Sequence, residues 1–135
     1  MTEAVWIHGA TGVGKSHHAF EGYDPATHYI WSHDKGWWDG YNGHPIVIMN
    51  DYRGEIAYNN LLKLIDRWPE KVSRRGREPT QFLAKKVIIT SSLSPSDVYK
   101  NRMEEDKLEQ LLRRCEVIHM KEKEEEQQFV VESFD

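Results

Sequence analysis

A glycine-rich run near the start of the chain reads Gly9-Ala10-Thr11-Gly12-Val13-Gly14-Lys15-Ser16. It fits the phosphate-binding pattern of a glycine, four residues and Gly-Lys-Ser. The apolar run at 4–7 is suited to a buried strand, and a helix can begin at Lys15. Glycines let such a loop turn its backbone N–H groups toward phosphate oxygens at the helix N-terminus. The pattern predicts a nucleotide site in which Lys15 reaches the β- and γ-phosphates and the Ser16 hydroxyl binds Mg²⁺.

Size and charge limit the classes of protein to which the chain can belong. Its 135 residues suit one compact domain. With 18 Lys and Arg against 22 Asp and Glu, the net charge of −4 argues against a uniformly basic nucleic-acid binder. Any such contact must come from a local basic patch. The single cysteine, Cys115, excludes an internal disulfide and suits a reducing compartment. No apolar run approaches the length of a membrane span, so we expect no membrane partner.

Two further apolar runs, at 45–49 and 86–92, predict strands that are buried on both faces of a parallel sheet. The first ends in Asn50-Asp51 and the second in small polar residues that include Ser92. Ligands bind beyond the carboxyl ends of the strands in open α/β sheets. A carboxylate at this position in a protein with a phosphate loop can hold Mg²⁺ or orient the attacking water. Asp51 is therefore a candidate catalytic residue and metal ligand.

A basic segment around Gly76 predicts a β-hairpin. Two short extended pieces flank this turn, which lies within the densest basic cluster of an acidic chain. A solvated charged loop is the simpler interpretation, but a contact with the nucleic-acid backbone is favoured. The candidate contact residues are Arg74, Arg75 and Arg77.

Shorter patterns complete the predicted order of elements. Strands are predicted at 27–31 and 117–120, and helices at 16–21, at 57–68 before Pro69, and around the stripe from Leu108 to Cys115. We expect one domain over 1–120 and a charged C-terminal tail over 121–135, in which the charge run at 121–128 is solvated. The histidines lack zinc-like spacing with Cys115, which predicts scattered surface or core histidines rather than a metal site.

Two adjacent tryptophans, Trp37 and Trp38, lie in a turn-rich loop. Covering the edge of the core is the favoured role for at least one of them. Stacking on a nucleic-acid base is the weaker alternative.

These residues, in this order, resemble the superfamily 3 helicase domain of circovirus-type replication-initiator (Rep) proteins. The resemblance covers nearly the whole chain and is carried by 37–41, 50–54, 61–69, the hairpin, 89–92 and 111–114. It implies a three-layer, AAA+-like α/β P-loop NTPase fold with a mostly parallel central sheet. It also implies hexameric rings in the full-length protein and NTP-driven 3′→5′ unwinding of DNA during rolling-circle replication in the host nucleus.

The resemblance assigns roles to individual positions. Gly9, Gly12, Gly14, Lys15 and Ser16 match the Walker A loop, and Asn50 and Asp51 match the Walker B pair. Arg75 and Gly76 fall where the family has a Lys-Gly pair in a DNA-contacting hairpin. Ser92 falls at the sensor position, and Arg113 or Arg114 resembles an arginine finger that acts on a neighbouring subunit.

Two positions depart from the family pattern, which usually has Asp where Asn50 stands and Asn where Ser92 stands. A neutral Asn50 should hold the Mg²⁺ hydration shell less firmly than a carboxylate. Ser92 is shorter and reaches the γ-phosphate or the attacking water only through another water. We therefore expect ATP or another NTP to bind with Mg²⁺ and to be hydrolysed slowly.

The resemblance also bears on assembly. The chain carries no His-x-His motif of a nicking domain, so an excised domain or a shortened relative is expected. As an isolated domain it is expected to be largely monomeric.

Three functions remain open from the sequence. The first is an NTP-driven DNA helicase motor domain that binds single-stranded DNA. The second is a nucleotide-binding assembly module with weak hydrolysis, which the two departures favour. The third is an RNA-directed superfamily 3 helicase, because neither the hairpin nor the tryptophans form a base-reading code.

Overall fold

A six-stranded sheet runs through the centre of the protein in the computed structural model, which describes residues 2–10, 14–33, 37–66, 70–99, 105–121 and 128–132. The strands in chain order are β1 (Glu3–His8), β2 (His28–Ile30), β3 (Ile46–Met49), β4 (Lys71–Arg74), β5 (Arg77–Gln81), β6 (Lys86–Ser91), β7 (Cys115–Lys121) and β8 (Gln128–Glu132). The large sheet has the order β2-β3-β6-β1-β7-β8, and all neighbours in it are parallel except β7 and β8. The predicted α/β P-loop NTPase-like fold with a mostly parallel central sheet is confirmed.

Four helices accompany the strands in the part of the chain that the structure describes: α1 (Lys15–Ala19), α2 (Tyr58–Ile65), α3 (Pro95–Val98) and α4 (Glu105–Arg114). Alternate residues of β1 are buried on opposite faces of the sheet, as expected for a strand in the interior. Trp6 belongs to the larger core, to which α2 and α4 contribute, whereas Ile7 belongs to a smaller cluster with Ile118 and Met120. None of the described helices has the length and apolar character that crossing a bilayer requires.

The segment after β3 is anchored by a buried tyrosine pair. The hydroxyls of Tyr52 and Tyr99 lie 2.7 Å apart, and the Tyr52 hydroxyl also accepts a hydrogen bond from the Ile56 amide at 3.1 Å. Burial raises the pKa of Tyr52 to about 12, so the pair stays neutral. Gly54 has φ 92°, and a Cβ there would lie 2.9 Å from Val98 in α3. These contacts fix the chain just beyond Asn50-Asp51.

Strands β4 and β5 form a separate antiparallel hairpin, which confirms the predicted one. The hairpin is joined to the rest of the molecule through Ser73, which bridges to Trp37 and accepts a hydrogen bond from the Trp38 amide at 2.8 Å. The Trp38 ring is buried against Tyr41 and Phe82. Trp38 therefore has the predicted role in the core.

Several element boundaries differ from the prediction. Helix α1 begins and ends earlier than the predicted 16–21. Helix α2 ends at Ile65, whereas the predicted helix extends over 57–68. Residues 67–69 lie outside the described residues. Cys115 begins β7 instead of ending the preceding helix. Residues 128–132 form β8 along the open edge of β7, an element that the predicted charged C-terminal tail over 121–135 did not include. The sequence did not predict this strand because the charge run at 121–128 dominates the composition of the segment.

Cys115 is buried at the start of β7. Burial raises the pKa of its thiol to about 12, against the opposing effect of the neighbouring Arg114 charge. The thiol is therefore protonated and shielded at neutral pH.

Candidate functional site

Three strands, β1, β3 and β6, end side by side at the edge of the sheet where the phosphate loop begins. His8 is paired with Ser91, and the Gly9 amide donates to the Ser91 carbonyl at 3.2 Å. Met49, the last residue of β3, is paired with Ile89 on the other side of β6. Strand β6 thus separates the strand that leads into the loop from the strand that ends in Asn50-Asp51.

Lys15 is folded back onto the start of its own loop. Its Nζ donates to the carbonyls of Gly9 at 2.7 Å and Ala10 at 2.9 Å. Partial burial lowers the pKa of Lys15, and the negative charge of Asp51 opposes this shift. Gly14 caps helix α1 with φ 90°, a left-handed conformation suited to glycine. The predicted loop residues Thr11, Gly12 and Val13 lie outside the described residues.

Asn50 joins the phosphate loop to the two strands beside it. Its Oδ1 accepts a hydrogen bond from Ser16 Oγ at 2.9 Å and another from Thr90 Oγ1 at 2.8 Å. Thr90 Oγ1 in turn accepts from the Asp51 amide at 2.8 Å. An asparagine amide oxygen has two lone pairs, so both are used. Asn50 thus lies next to the phosphate-loop residue Ser16, at the position that the resemblance assigned to the Walker B pair.

Asp51 stands at the same edge with its carboxylate directed outward. Its backbone is left-handed, with φ 56°, and its side chain is 63% exposed. Arg53 Nη2 lies 3.6 Å from Asp51 Oδ1, but both side chains are exposed, so water weakens this pair. The carboxylate is thus accessible to a ligand and lies close enough to Lys15 to affect its pKa.

His33 braces the backbone of Asn50 from the neighbouring loop. Its Nε2 donates to the Asn50 carbonyl at 2.7 Å, and its Nδ1 lies 2.6 Å from Glu55 Oε2. The other oxygen of Glu55 accepts from the Arg53 amide at 2.7 Å. Partial burial would raise the pKa of Glu55, but these hydrogen bonds outweigh it and lower the pKa. Because a carbonyl oxygen only accepts, Nε2 carries the proton of its hydrogen bond with Asn50.

The sequence interpretation missed His33, Glu55 and Thr90. His33 and Asp51 are the non-glycine residues with positive φ among those described, and both lie at this edge. Backbone strain of this kind often marks functional sites, but it is not visible in a sequence. Thr90 had a usable signal, since it is one of the small polar residues at the end of a buried strand.

A cavity of about 580 Å³ opens beside the phosphate loop. Gly9 and Ala10 line it together with the exposed Ser92, so the predicted sensor residue lies at the same site. The imidazoles of His8 and His119 stack along its wall with centroids 4.5 Å apart. The cavity is large enough for a small ligand beside the loop.

The predicted arginine-finger residues lie away from this edge. Arg113 and Arg114 directly precede Cys115, which is paired with Ala4 at the opposite end of β1 from the phosphate loop. Between Ala4 and His8 the strand rises by roughly 13 Å, which is longer than an arginine side chain. Arg114 Nε lies 3.6 Å from Asp66, whereas Arg113 is exposed and contacts only Glu109 of its own helix, at 3.4 Å, among the described residues.

The three hairpin arginines have different environments. Arg74 donates from Nε and Nη2 to the Glu78 carbonyl, which closes the turn. Arg75 Nε lies 2.6 Å from Asp39 Oδ2, and its amide donates to Asp39 Oδ1 at 2.8 Å. The Arg77 side chain is exposed and makes no hydrogen bond or ion pair to another described residue.

No group of three or more His, Cys, Asp or Glu side chains within the described ranges is arranged to hold a metal ion. This leaves open the predicted Mg²⁺ contact of Ser16 and Asp51, since a nucleotide supplies most ligands of such an ion.

Comparisons with known proteins agree with this geometry. The family model described as RNA helicase matches residues 5–93. The replication-associated protein of goose circovirus is 44% identical over 99 residues, which cover 73% of this chain and 33% of that protein. The replication-associated proteins of beak and feather disease virus and porcine circovirus 2 are 40% and 38% identical over 73% and 70% of the chain, covering 33% and 30% of their own lengths.

The chain thus spans about a third of the length of the curated relatives it matches. The family model covers well over half of the chain, from β1 to beyond β6. The chain therefore belongs to this helicase family, and its resemblance to the superfamily 3 domain of circovirus-type replication-initiator proteins is confirmed.

Proposed function

We propose that this chain is the ATP-hydrolysing motor domain of a replication-initiator helicase that moves along single-stranded DNA. The observation that carries the proposal is the position of Asn50 Oδ1 between Ser16 Oγ and Thr90 Oγ1. This contact joins the phosphate loop to the strand that presents Asp51, as a nucleotide hydrolase of this fold requires. The family and the replication-associated relatives support the same function.

The oxygen donors at this edge suit Mg²⁺ bound with a triphosphate. Ser16 Oγ and the Asp51 carboxylate are hard oxygen ligands of the kind that this ion prefers. When bound, the ion would neutralise charge on the β- and γ-phosphates. Lys15 would exchange its two loop carbonyls for phosphate oxygens, because a cation–anion hydrogen bond is the stronger one.

Asp51 is the proposed acceptor of the proton of the attacking water. Its exposure supports this role, because the carboxylate needs access to a water beside the γ-phosphate. Asn50 cannot take a proton, so a single carboxylate serves where the family usually has two. Ser92 would reach the γ-phosphate only through a water. Slow turnover is the expected consequence.

Arg113 is the proposed arginine finger of a neighbouring subunit. Its exposure and its place at the opposite end of the strands support action across a subunit boundary. Arg114 is the weaker candidate because of its contact with Asp66. Such a finger is worth roughly 10³–10⁵ in rate, so the site is complete only in an oligomer. A hexameric ring, as the resemblance implies, is the proposed active form.

The experiment that tests this function is steady-state ATP hydrolysis over a range of protein concentrations. We expect turnover per molecule to rise with concentration and to rise further with oligothymidylate. Mixing an Arg113→Ala chain with a Lys15→Ala chain should partly restore activity, because each supplies what the other lacks. Arg114→Ala is the matched control. A mixture of Arg114→Ala with Lys15→Ala should regain less ATPase activity.

Three results would contradict the proposal. Binding of ATP without measurable hydrolysis at any concentration would favour the nucleotide-binding assembly module. Stimulation by oligouridylate but not by oligothymidylate would favour an RNA-directed helicase. Turnover independent of concentration, with no rescue on mixing, would exclude both arginines as fingers.

A further inference from the structure

Trp37 is an exposed tryptophan that the fold holds in a fixed position. Trp6, Trp31 and Trp38 are buried, whereas Trp37 is 39% exposed. The exposed part of the Trp37 indole lacks the stabilising free energy that burial gives the neighbouring Trp38 ring. The exposed part of the ring lies beside the charged side chain of Arg75.

The position of Trp37 is set by its attachment to the hairpin. It forms a β-bridge with Ser73 of β4, and the next residue, Trp38, donates its amide to the Ser73 carbonyl and buries its ring. One tryptophan thus anchors the segment, and the other is presented at the surface. The ring of Trp37 is therefore part of the hairpin surface rather than of a separate loop.

Arg75 holds one side of the Trp37 ring. Its guanidinium carbon lies 6.0 Å from the ring centroid, within range of a cation–π contact. Asp39 binds both the side chain and the amide of Arg75. The hydrogen bonds from Arg75 lower the pKa of Asp39, so the ion pair persists at neutral pH. Asp39, Arg75 and Trp37 thus form a preorganised stack.

Arg77 adds an exposed positive charge to the same hairpin, at the start of β5. The exposed side chains at this surface therefore include an aromatic ring and a cation, with the exposed Glu78 side chain next to Arg77 in β5. A strand of unpaired nucleotides offers the complement, since each nucleotide has a π-face and a phosphate. In a duplex the base faces are covered by their neighbours, so a double helix does not fit this surface in the same way.

We propose that Trp37 stacks on a base of single-stranded DNA bound along the hairpin, while Arg77 contacts the adjacent phosphate. This site rests on the proposed function and adds to it a base-contacting residue that the arginines alone do not supply. Arg75 and Asp39 act as positioning residues for the ring. Stacking does not distinguish one base from another, which suits a motor that must pass every sequence.

The test compares the binding of two strands of equal length by fluorescence anisotropy. One is oligothymidylate, and the other has the same sugar-phosphate backbone with the bases removed. We expect Trp37→Ala to weaken binding of oligothymidylate by about 5- to 150-fold, the range that base stacking supplies. It should leave binding of the abasic strand unchanged, and Trp37→Phe should retain most of the affinity.

Two matched variants complete the design. Tyr23→Ala removes another exposed aromatic side chain, outside the hairpin. It should change the affinity for neither oligothymidylate nor the abasic strand. Arg77→Ala should weaken both strands and reduce the slope of log K against log salt by about 0.7, the value for one phosphate contact on a single strand. Trp37→Ala should leave that slope unchanged. Thermal unfolding of each variant checks that the fold is intact.

The outcomes separate the stacking proposal from the proposed function. If Trp37→Ala binds oligothymidylate as the parent does, stacking is excluded while DNA binding stands. If it loses equal affinity for both strands, the ring only supports the hairpin, and stacking is again excluded. If Trp37→Ala loses equal affinity for both strands and light scattering shows a changed oligomeric state, Trp37 belongs to a contact between copies of the chain. If the parent binds neither strand, the proposed function itself fails.

Discussion

The nucleotide edge of the sheet and the basic hairpin hold their functional side chains in opposite ways. At the edge, Ser16 and Thr90 both donate hydrogen bonds to Asn50 Oδ1. At the hairpin, Trp37 and Arg77 are exposed to solvent. Phosphoryl transfer depends on groups held at fixed geometry, whereas a strand that moves past the protein must be gripped and released. The difference is in line with the proposed function, in which the edge performs chemistry and the hairpin contacts a polymer.

This comparison predicts steep effects at the edge and graded effects at the hairpin. A change at the edge removes a group from a connected network, so neighbours lose their partners as well. A change at the hairpin removes one contact among several similar ones. The following variants test the edge, in order of decreasing expected effect.

Asp51→Asn should have the largest effect, lowering turnover by about 10²- to 10⁴-fold, the range for removal of a general base. Asparagine tolerates the left-handed backbone at this position, so the fold should be kept. Nucleotide affinity, measured by calorimetry, should change little. The companion variant Asn50→Asp should raise turnover or lower the Mg²⁺ requirement. Hydrolysis by Asp51→Asn at the parental rate would exclude Asp51 as the base.

Lys15→Ala should weaken ATP binding by about 10- to 100-fold, because it leaves the phosphate charge without its cation. Lys63→Ala on α2 is the control, since Lys63 is exposed in a helix that does not contribute to the phosphate loop. Calorimetry with ATP and Mg²⁺ gives both affinities. Equal affinity of Lys15→Ala and the parent would mean that the triphosphate lies elsewhere.

His33→Asn should lower kcat by about tenfold, the loss expected from one strong hydrogen bond. It removes the brace on the Asn50 carbonyl while keeping a residue that accepts φ 66°. Because the phosphate loop is untouched, KM should change less than kcat. An equal change in both, or none in either, would assign His33 a purely structural role.

Glu55→Gln should have the smallest effect, which appears in the pH dependence of stability. The folded pKa of Glu55 is lowered, so its stabilising contribution is present above the ordinary carboxyl pKa and is lost as pH falls through the folded value. The variant should therefore lose less stability than the parent on acidification below about pH 4.5. Because the side chains of Glu55 and His33 are partly exposed, the difference in unfolding free energy between variant and parent should stay below about 1 kcal/mol. Urea unfolding at several pH values measures it, and parallel curves would contradict the assignment.

The sequence predicts the sheet well because its strands are continuous apolar runs that end in polar residues. It also locates Asn50 and Asp51, since the end of a strand is a position along the chain. It does not predict that His33 reaches Asn50 or that Glu55 holds His33, because these contacts cross between loops. The hairpin shows the same limit. Its arginines look alike in sequence, but Arg74 is engaged within the turn, Arg75 is engaged by Asp39 from another loop, and Arg77 is exposed.

The burial of Cys115 has a practical consequence for observing the hairpin. A thiol with a pKa of about 12 inside the core resists alkylating dyes at neutral pH, and it is the only cysteine in the sequence. A single Glu78→Cys substitution would therefore give one reactive position without removal of the native cysteine. Glu78 has an exposed side chain and contacts Arg74 only through its carbonyl, which the substitution retains. A fluorophore attached there would report strand passage in real time.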